Sequence, residues 1–393
     1  MTAQDAAEAV AALRNTATIR ARAGHLLARA RADASDWFTV DDDALDVAAA
    51  AVADITRTNY PDLTIPYHSR WRHFEAGGVD RRADLDALLD GRDDAERARA
   101  MIDLTVVSVL LDAGAGPDWC YREGERTFTR SEGLAVASFH AFTAGLFSAD
   151  PDDPLRVDAA GLRALSTARL ATAFQVDATN PLVGLDGRVH LLHRLADAGR
   201  PGALFDALAR PEVRAHDILS YLLASLSGIW PAANTIGGIP LGDCWPHRAV
   251  SGPGLTDGWM PLHKLSQWLT YSLLEPFEWA GVAVTGLGEL TGLPEYRNGG
   301  LLIDTGVLVP RSAAAFERLW KPGDEFIVEW RALTVTLLDE LAAQVRADLG
   351  LDEARLPLAC VLEGGTWACG RELAAERRAG APPLRIDSDG TLF

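Results

Sequence analysis

Lysine is almost missing from this chain. The 37 basic residues comprise 35 arginines and only two lysines, Lys264 and Lys321. A Schiff base, a pyridoxal attachment or a lyase-type glycosylase amine therefore has two candidate positions at most. No GxxxxGK[ST] loop occurs, which excludes a P-loop phosphate site. A GxGxxG after a strand-like run, a GxSxG and an HExxH are absent too, so the commonest dinucleotide, hydrolase and zinc signatures are missing. Cysteine is scarce: Cys120, Cys244, Cys360 and Cys369 are scattered without a CxxC pair. They fit reduced, structural thiols in a cytoplasm and argue against a zinc ribbon or a disulfide framework. Basic runs of five to eight residues do not occur, and 55 acids against 37 bases leave a net charge of −18. Nucleic acid as the main partner is disfavoured on both counts. The longest apolar runs reach about half the ~20 residues that span a bilayer. The N-terminus has early acids and no basic segment before an apolar one, so no secretion signal is expected.

A hydrophobic fraction of 48% with 23% charged residues belongs to a folded globular protein. Helical periodicity dominates. It predicts helices over 5–32, over a stretch carrying Leu45 to Ile55, and over a short one with Leu85, Leu88 and Leu89 on one face. Residues 95–112 become almost wholly apolar from Met101 on and read as a buried helix or strand. Further helices are expected from Ser131 and over 159–174, 189–198 and 212–227. Pro261 sits at a plausible first turn of the next, and the last long helix runs over 325–349, ended by Gly350. Thr366 is placed to cap a helix after it. Strand alternation is weak everywhere, with 384–393 the best candidate. The fold class is mainly α-helical with few short strands and no internal repeat. An N-terminal helical segment over 1–60 is expected before a catalytic region over 61–393, with two lobes meeting near the loop-rich 228–260.

Several segments carry ionisable groups where a plain core would not. His68, Arg70, Arg72, His73 and Glu75 fall within ten residues before Gly77-Gly78. They suit a wall for phosphate or sugar, or an Arg/His-rich surface loop. For a phosphorylated substrate, two or more of His68, Arg70, Arg72 and His73 are expected to face the pocket. Asp112 ends an apolar run and must be hydrogen-bonded, paired or exposed; it is followed by Gly114, Gly116 and Trp119, the last able to stack on a planar ring. Arg130 and Glu132 come next. Glu295 sits in a Pro/Gly-framed turn beside Arg297, and Asp304 interrupts an apolar run, suited to hold Arg297 or bind ribose hydroxyls. Glu329 and Arg331 are two apart on a helix, so they do not face each other. Glu363, Trp367 and Arg371 close the set. For each Arg–carboxylate set a structural ion pair is the competing reading.

At these segments the chain resembles a known family. HKLSQWLTYSLLEP, LTGLPEYRNGGLLIDTGVL, VEWRALTVTLLDEL, LEGGTWACGREL and PPLRIDSDGTLF look like the bacterial and fungal uracil-catabolism family, the Urc/Urg type long classed as a domain of unknown function. IPYHSRWRHFEAGG, SVLLDAGAGPDWCY and RSEGLAVASF match its N-terminal half, so the resemblance runs from about residue 15 to the C-terminus. A weaker resemblance is to the queuosine-salvage N-glycosidases, relatives of helical DNA glycosylases. Their "DYRVP…GVL" block is similar to Pro294-Glu295-Tyr296-Arg297…Gly306-Val307-Leu308, with Glu295 here for Asp and Asn-Gly-Gly for Val-Pro. Their "E-I-R" helix is similar to Glu329-Trp330-Arg331. Together the resemblances imply a DNA-glycosylase-like multi-helix fold and a cytoplasmic N-ribosyl hydrolase that releases urea from a ribosylurea-type nucleoside or nucleotide, without metal or cofactor. Glu295 and Asp304 are the expected catalytic acids, Glu295 nearest the anomeric carbon. His68, Arg70, Arg72, Asp112, Trp119, Arg130, Glu132, Arg297, Glu329, Arg331, Glu363, Trp367 and Arg371 are the expected substrate contacts. An amidohydrolase or ring-opening enzyme of the same pathway, and a non-catalytic pathway scaffold, are the alternatives.

Overall fold

The computed structural model describes residues 2–112, 114–229 and 234–387. The first helical stretch breaks where Asn15 accepts a hydrogen bond from the Ala17 N–H and so caps a new helix. The result is two helices, α1 (Ala3–Leu13) and α2 (Thr16–Arg31). There follow α3 (Asp43–Asn59), α4 (Arg70–Phe74), α5 (Arg81–Leu88), α6 (Asp94–Leu110) and α7 (Arg130–Thr143). The middle of the chain forms α8 (Ala159–Arg163), α9 (Thr167–Ala173), α10 (Leu185–Ala198), α11 (Ala203–Leu208) and α12 (Ala215–Leu226). The C-terminal third adds α13 (Lys264–Trp279), α14 (Tyr296–Asp304), α15 (Glu325–Leu349), α16 (Leu358–Val361) and α17 (Trp367–Arg378).

The strands of the described residues are two to four residues long and pair only in twos. Phe38–Val40 runs antiparallel to Leu308–Pro310, and Cys244–Pro246 antiparallel to Trp259–Pro261. Short strands of this kind carry too few residues to show alternation, which is why the sequence hides them. The expected mainly α-helical class with few short strands is what the molecule has.

Four local expectations are corrected. Pro261 lies in a strand rather than a helical turn, and α13 begins only after His263. Leu85 and Leu89 are buried but Leu88 is exposed. The segment 159–174 is two short helices, split where Ser166 caps the second. Thr366 caps nothing, because Leu362–Thr366 forms a π-helical turn that joins α16 to α17 without a break. Of the predicted C-terminal strand, Arg385–Ile386 pairs parallel with Leu319–Trp320, and 388–393 lies outside the described residues.

One apolar cluster extends from Ile19 to Leu384. At its centre runs α15, with Ile327, Val328, Leu333, Val335, Leu337, Leu338, Leu341 and Val345 all fully out of solvent. Its partners include α2, α3 and α14. Burying each such side chain contributes about 1.5–3 kcal/mol, so α15 is a rigid post on which α14 is seated. Two close approaches set the neighbouring helices. A Cβ on Gly365 would lie 2.5 Å from the Val52 carbonyl oxygen of α3, and one on Gly370 would lie 2.2 Å from the Arg297 carbonyl oxygen of α14. Only glycine lets the backbones meet at these points. Among the described residues no helix is long and apolar enough to cross a membrane.

Candidate functional site

A cavity of about 560 Å³ opens where α13, α14, α17 and the loop after α6 converge. The N-terminal turn of α13 contributes Lys264, Leu265 and Trp268, and the start of α14 contributes Leu293, Glu295, Tyr296 and Arg297. Asp112 and Gly114–Pro117 close one side with Arg130 and Ser131; His68, His73 and Trp367 close another. The volume falls within the ~300–1,000 Å³ usual for small-ligand sites. Three residues at or beside the cavity have left-handed backbones without being glycine: Arg130 (φ 52°), Ala379 (φ 49°) and His263 (φ 48°), the last immediately before Lys264. Such strain tends to gather at functional sites.

Glu295 is the N-cap of α14. Its Oε2 accepts the Arg297 N–H at 2.7 Å and its Oε1 accepts the Asn298 N–H at 2.6 Å. The carboxylate is thus buried but locked in one orientation at the positive end of the helix. Burial raises its pKa, with Lys264 and the two N–H bonds opposing. Lys264 is equally enclosed; desolvation lowers its pKa, against the pull of Glu295 and Asp112. Its ammonium lies 5.7 Å from the Trp268 ring centroid, and no salt bridge or side-chain hydrogen bond to it is present among the described residues. Asp243 positions it. The Asp243 carboxylate accepts the Lys264 N–H at 3.0 Å and grips Arg331 at 2.8 and 2.7 Å, while its carbonyl takes the N–H groups of Leu262 and His263. These bonds to Arg331 pull the Asp243 pKa down to about 2 despite burial.

Asp112 faces the cavity from behind. Arg70, with no exposure, reaches it at 3.0 Å and donates to Ser108 at 2.7 Å. The second carboxylate oxygen of Asp112 is buried without a partner, as are His73 Nδ1 and Trp268 Nε1. Orphaned polar atoms of this sort are costly unless a ligand completes them. His68 differs: its Nδ1 is 2.7 Å from Glu363, whose other oxygen accepts the Tyr60 hydroxyl at 3.3 Å.

The cavity therefore gathers His68, His73, Asp112, Arg130, Glu295, Arg297 and Trp367 from the residues singled out in the sequence. The others go elsewhere. Arg70 stands behind Asp112, and Arg72 faces a second depression, bound to Glu75 and Glu275. Trp119 does not offer a stacking face: it is 1% exposed, packs on Phe174 and donates to its carbonyl. Asp304 does not hold Arg297 but forms a forked pair with Arg378 at 2.9 and 2.5 Å, and is not among the residues lining the cavity. Glu329 is buried against Ser35 and His247. Arg331 braces Asp243 and the Pro294 carbonyl, and Glu132 pairs with Arg371 outside. Sequence reading did not assign Lys264, Trp268, Tyr296 or Asp243. The scarcity of lysine was the available signal for the first; nothing in the pattern marks Asp243. Among the described residues no three His, Cys, Asp or Glu are grouped to hold a metal ion.

Residues 12–393 match a family model described as a protein of unknown function, DUF1688. "Protein urg3" of Schizosaccharomyces pombe is 41% identical over 98% of this chain and 99% of its own length. "Uracil catabolism protein 4" of Lachancea kluyveri is 39% identical over 90% of each. Agreement of this extent on both counts leaves one conclusion: the chain belongs to the DUF1688 family, as a homologue of these two proteins.

Proposed function

We propose that this protein is an N-ribosyl hydrolase of pyrimidine breakdown that frees urea from a ribosylurea-type nucleoside or nucleotide. The observation that carries the reading is the arrangement of Glu295: a buried carboxylate locked by two backbone N–H groups, facing a cavity that also holds Asp112 and Lys264. Uracil catabolism, named for one relative, supplies the substrate class, because a pyrimidine ring opened on its sugar leaves an N-ribosyl urea. A glycosylase-like placement of helices about the cavity belongs to the same proposal.

Cleavage of the C1′–N bond develops positive charge on the ribose and negative charge on the departing nitrogen. Glu295 lies against the anomeric carbon, stabilises the cation and orients the attacking water. The Trp268 indole N–H is a donor for the urea carbonyl or the ribose hydroxyls, and Lys264 is a cation for an anionic group of the substrate. Tyr296 and Trp367 supply flat apolar surface. No step requires a metal or a cofactor, whereas ring opening by an amidohydrolase would ordinarily draw on a metal-bound water.

Incubation with ribosylurea and with its 5′-phosphate, followed by assay of free urea, tests the reading. Glu295→Gln should lower kcat by at least ~10²-fold, the low end for lost acid–base help. Its melting temperature should move little. Losing one capping acceptor costs about 1 kcal/mol, but removing a buried charge offsets it. Full turnover with reduced stability would make Glu295 a helix cap and nothing more.

A further inference from the structure

The hydrolytic reading leaves one chemical need unmet, a proton for the leaving nitrogen. Urea nitrogen is a poor leaving group as an anion, and Glu295, both of whose oxygens already accept backbone N–H groups, is assigned to the attacking water. Two histidines line the cavity. His73 is unsuited: burial and the neighbouring Arg70 push its pKa well below the ordinary value, and its Nδ1 has no carboxylate partner. His68 is arranged otherwise. Its backbone N–H is anchored on the Ala359 carbonyl at 2.9 Å, and its Nδ1 meets Glu363 at 2.7 Å. An ionised carboxylate only accepts, so Nδ1 carries a proton, and Nε2 makes no hydrogen bond among the described residues on a residue that lines the cavity. Glu363 is itself presented by the π-helical turn Leu362–Thr366, a local irregularity frequent at functional sites. Gly364 and Gly365 let that turn press against Thr56 and Val52 of α3, and Tyr60 holds the second carboxylate oxygen.

We infer that His68 is the general acid of the reaction and that Glu363 is its positioning residue, with Tyr60 steadying the carboxylate. The inference rests on the N-ribosyl hydrolase reading and deepens it. As the C1′–N bond breaks, its electron pair moves to nitrogen, which takes the Nε2 proton of the His68 imidazolium. Water forms the new C1′–O bond and gives a proton to Glu295. Glu295 then returns this proton to solvent and His68 is reprotonated, so the net reaction consumes one water. The carboxylate of Glu363 stabilises the imidazolium through Nδ1 and sets the ring plane.

The experiment compares two substrates, ribosylurea and 4-nitrophenyl riboside, whose nitrophenolate departs without protonation. His68→Gln should lower kcat/KM for ribosylurea by at least ~10²-fold and for the nitrophenyl riboside by less than about tenfold. Glu363→Gln should show the same substrate preference with a smaller loss, and it stands as the second variant if His68→Gln fails to fold. A merely structural role for either residue would reduce both substrates equally and overturn the assignment. A wild-type chain that cleaves neither substrate overturns the N-ribosyl reading, and the proton donor with it. A wild-type chain that cleaves both, with equal losses in the variants, overturns the proton donor alone.

Discussion

Individual side chains in this protein divide by whether their charge is answered. Arg70, Arg81 and Arg331 are buried and each meets a carboxylate. Around the cavity, Lys264, Arg130 and Arg297 take part in no salt bridge among the described residues. An anionic group on the substrate would answer them, and a 5′-phosphate is the natural one. Lys264→Met should therefore raise KM for the 5′-phosphate of ribosylurea far more than for the nucleoside; equal changes on both would place the lysine at the urea or ribose instead. Arg70 and Arg72 take no part in such a contrast, since both are already committed to acids. Arg70→Lys should instead destabilise the fold by up to ~3–5 kcal/mol, read as a fall in melting temperature, because it disturbs a buried pair. Which arginine answers which acid was not legible beforehand. Arg70 and Asp112 are 42 positions apart, and Asp304 finds Arg378 rather than the nearby Arg297.

Helices deliver the site in pairs, and their seating is testable without substrate. Gly370 of α17 touches the Arg297 carbonyl of α14, so Gly370→Ala forces the two apart at the turn that holds Glu295. A loss of turnover with largely retained helicity is expected, whereas retained turnover would show that the cap tolerates the shift. Asp243 works at the same scale by tying the start of α13 to α15. Asp243→Asn removes the charge that Arg331 grips from a buried pair and should cost about 3–5 kcal/mol. The helix α15 itself was visible residue for residue, because its period is long and Gly350 ends it in a left-handed conformation (φ 66°). The start of α13 was misplaced because Pro261 is compatible with a first helical turn and with an edge strand alike, and pairing with Cys244 selects the strand.

For the molecule as a whole, two buried aspartates give stability opposite dependences on pH. Asp103 sits in the core, and burial outweighs Arg200 and two N–H bonds to raise its pKa from 3.8 to about 6. Its contribution is full below pH 3.8 and is lost as pH rises through about 6. Asp243, lowered from 3.8 to about 2, contributes fully above 3.8 and loses that contribution as pH falls through about 2. The net charge of −18 adds self-repulsion at neutral pH that mild acid relieves. The melting temperature should accordingly be higher near pH 5 than at pH 8 and fall steeply towards pH 2. Asp103→Asn should flatten the slope between pH 4 and 7, and an unchanged slope would assign it to other groups.

What the sequence determined by itself is what short-range physics encodes: the helical class, the long helix α15 with its Gly350 stop, and the blocks that mark the family. Periodicity and capping are set within a few turns of chain, so they survive without knowledge of the partner. What the tertiary structure alone decided is which of the many arginines and acids meet across the fold. It enclosed Trp119, sent Asp304 to Arg378, and brought Lys264 into one cavity with Glu295 and Asp112. The reason is physical: a buried charge is tolerable only beside its counter-charge or a ligand, and that neighbour is chosen by packing between distant segments.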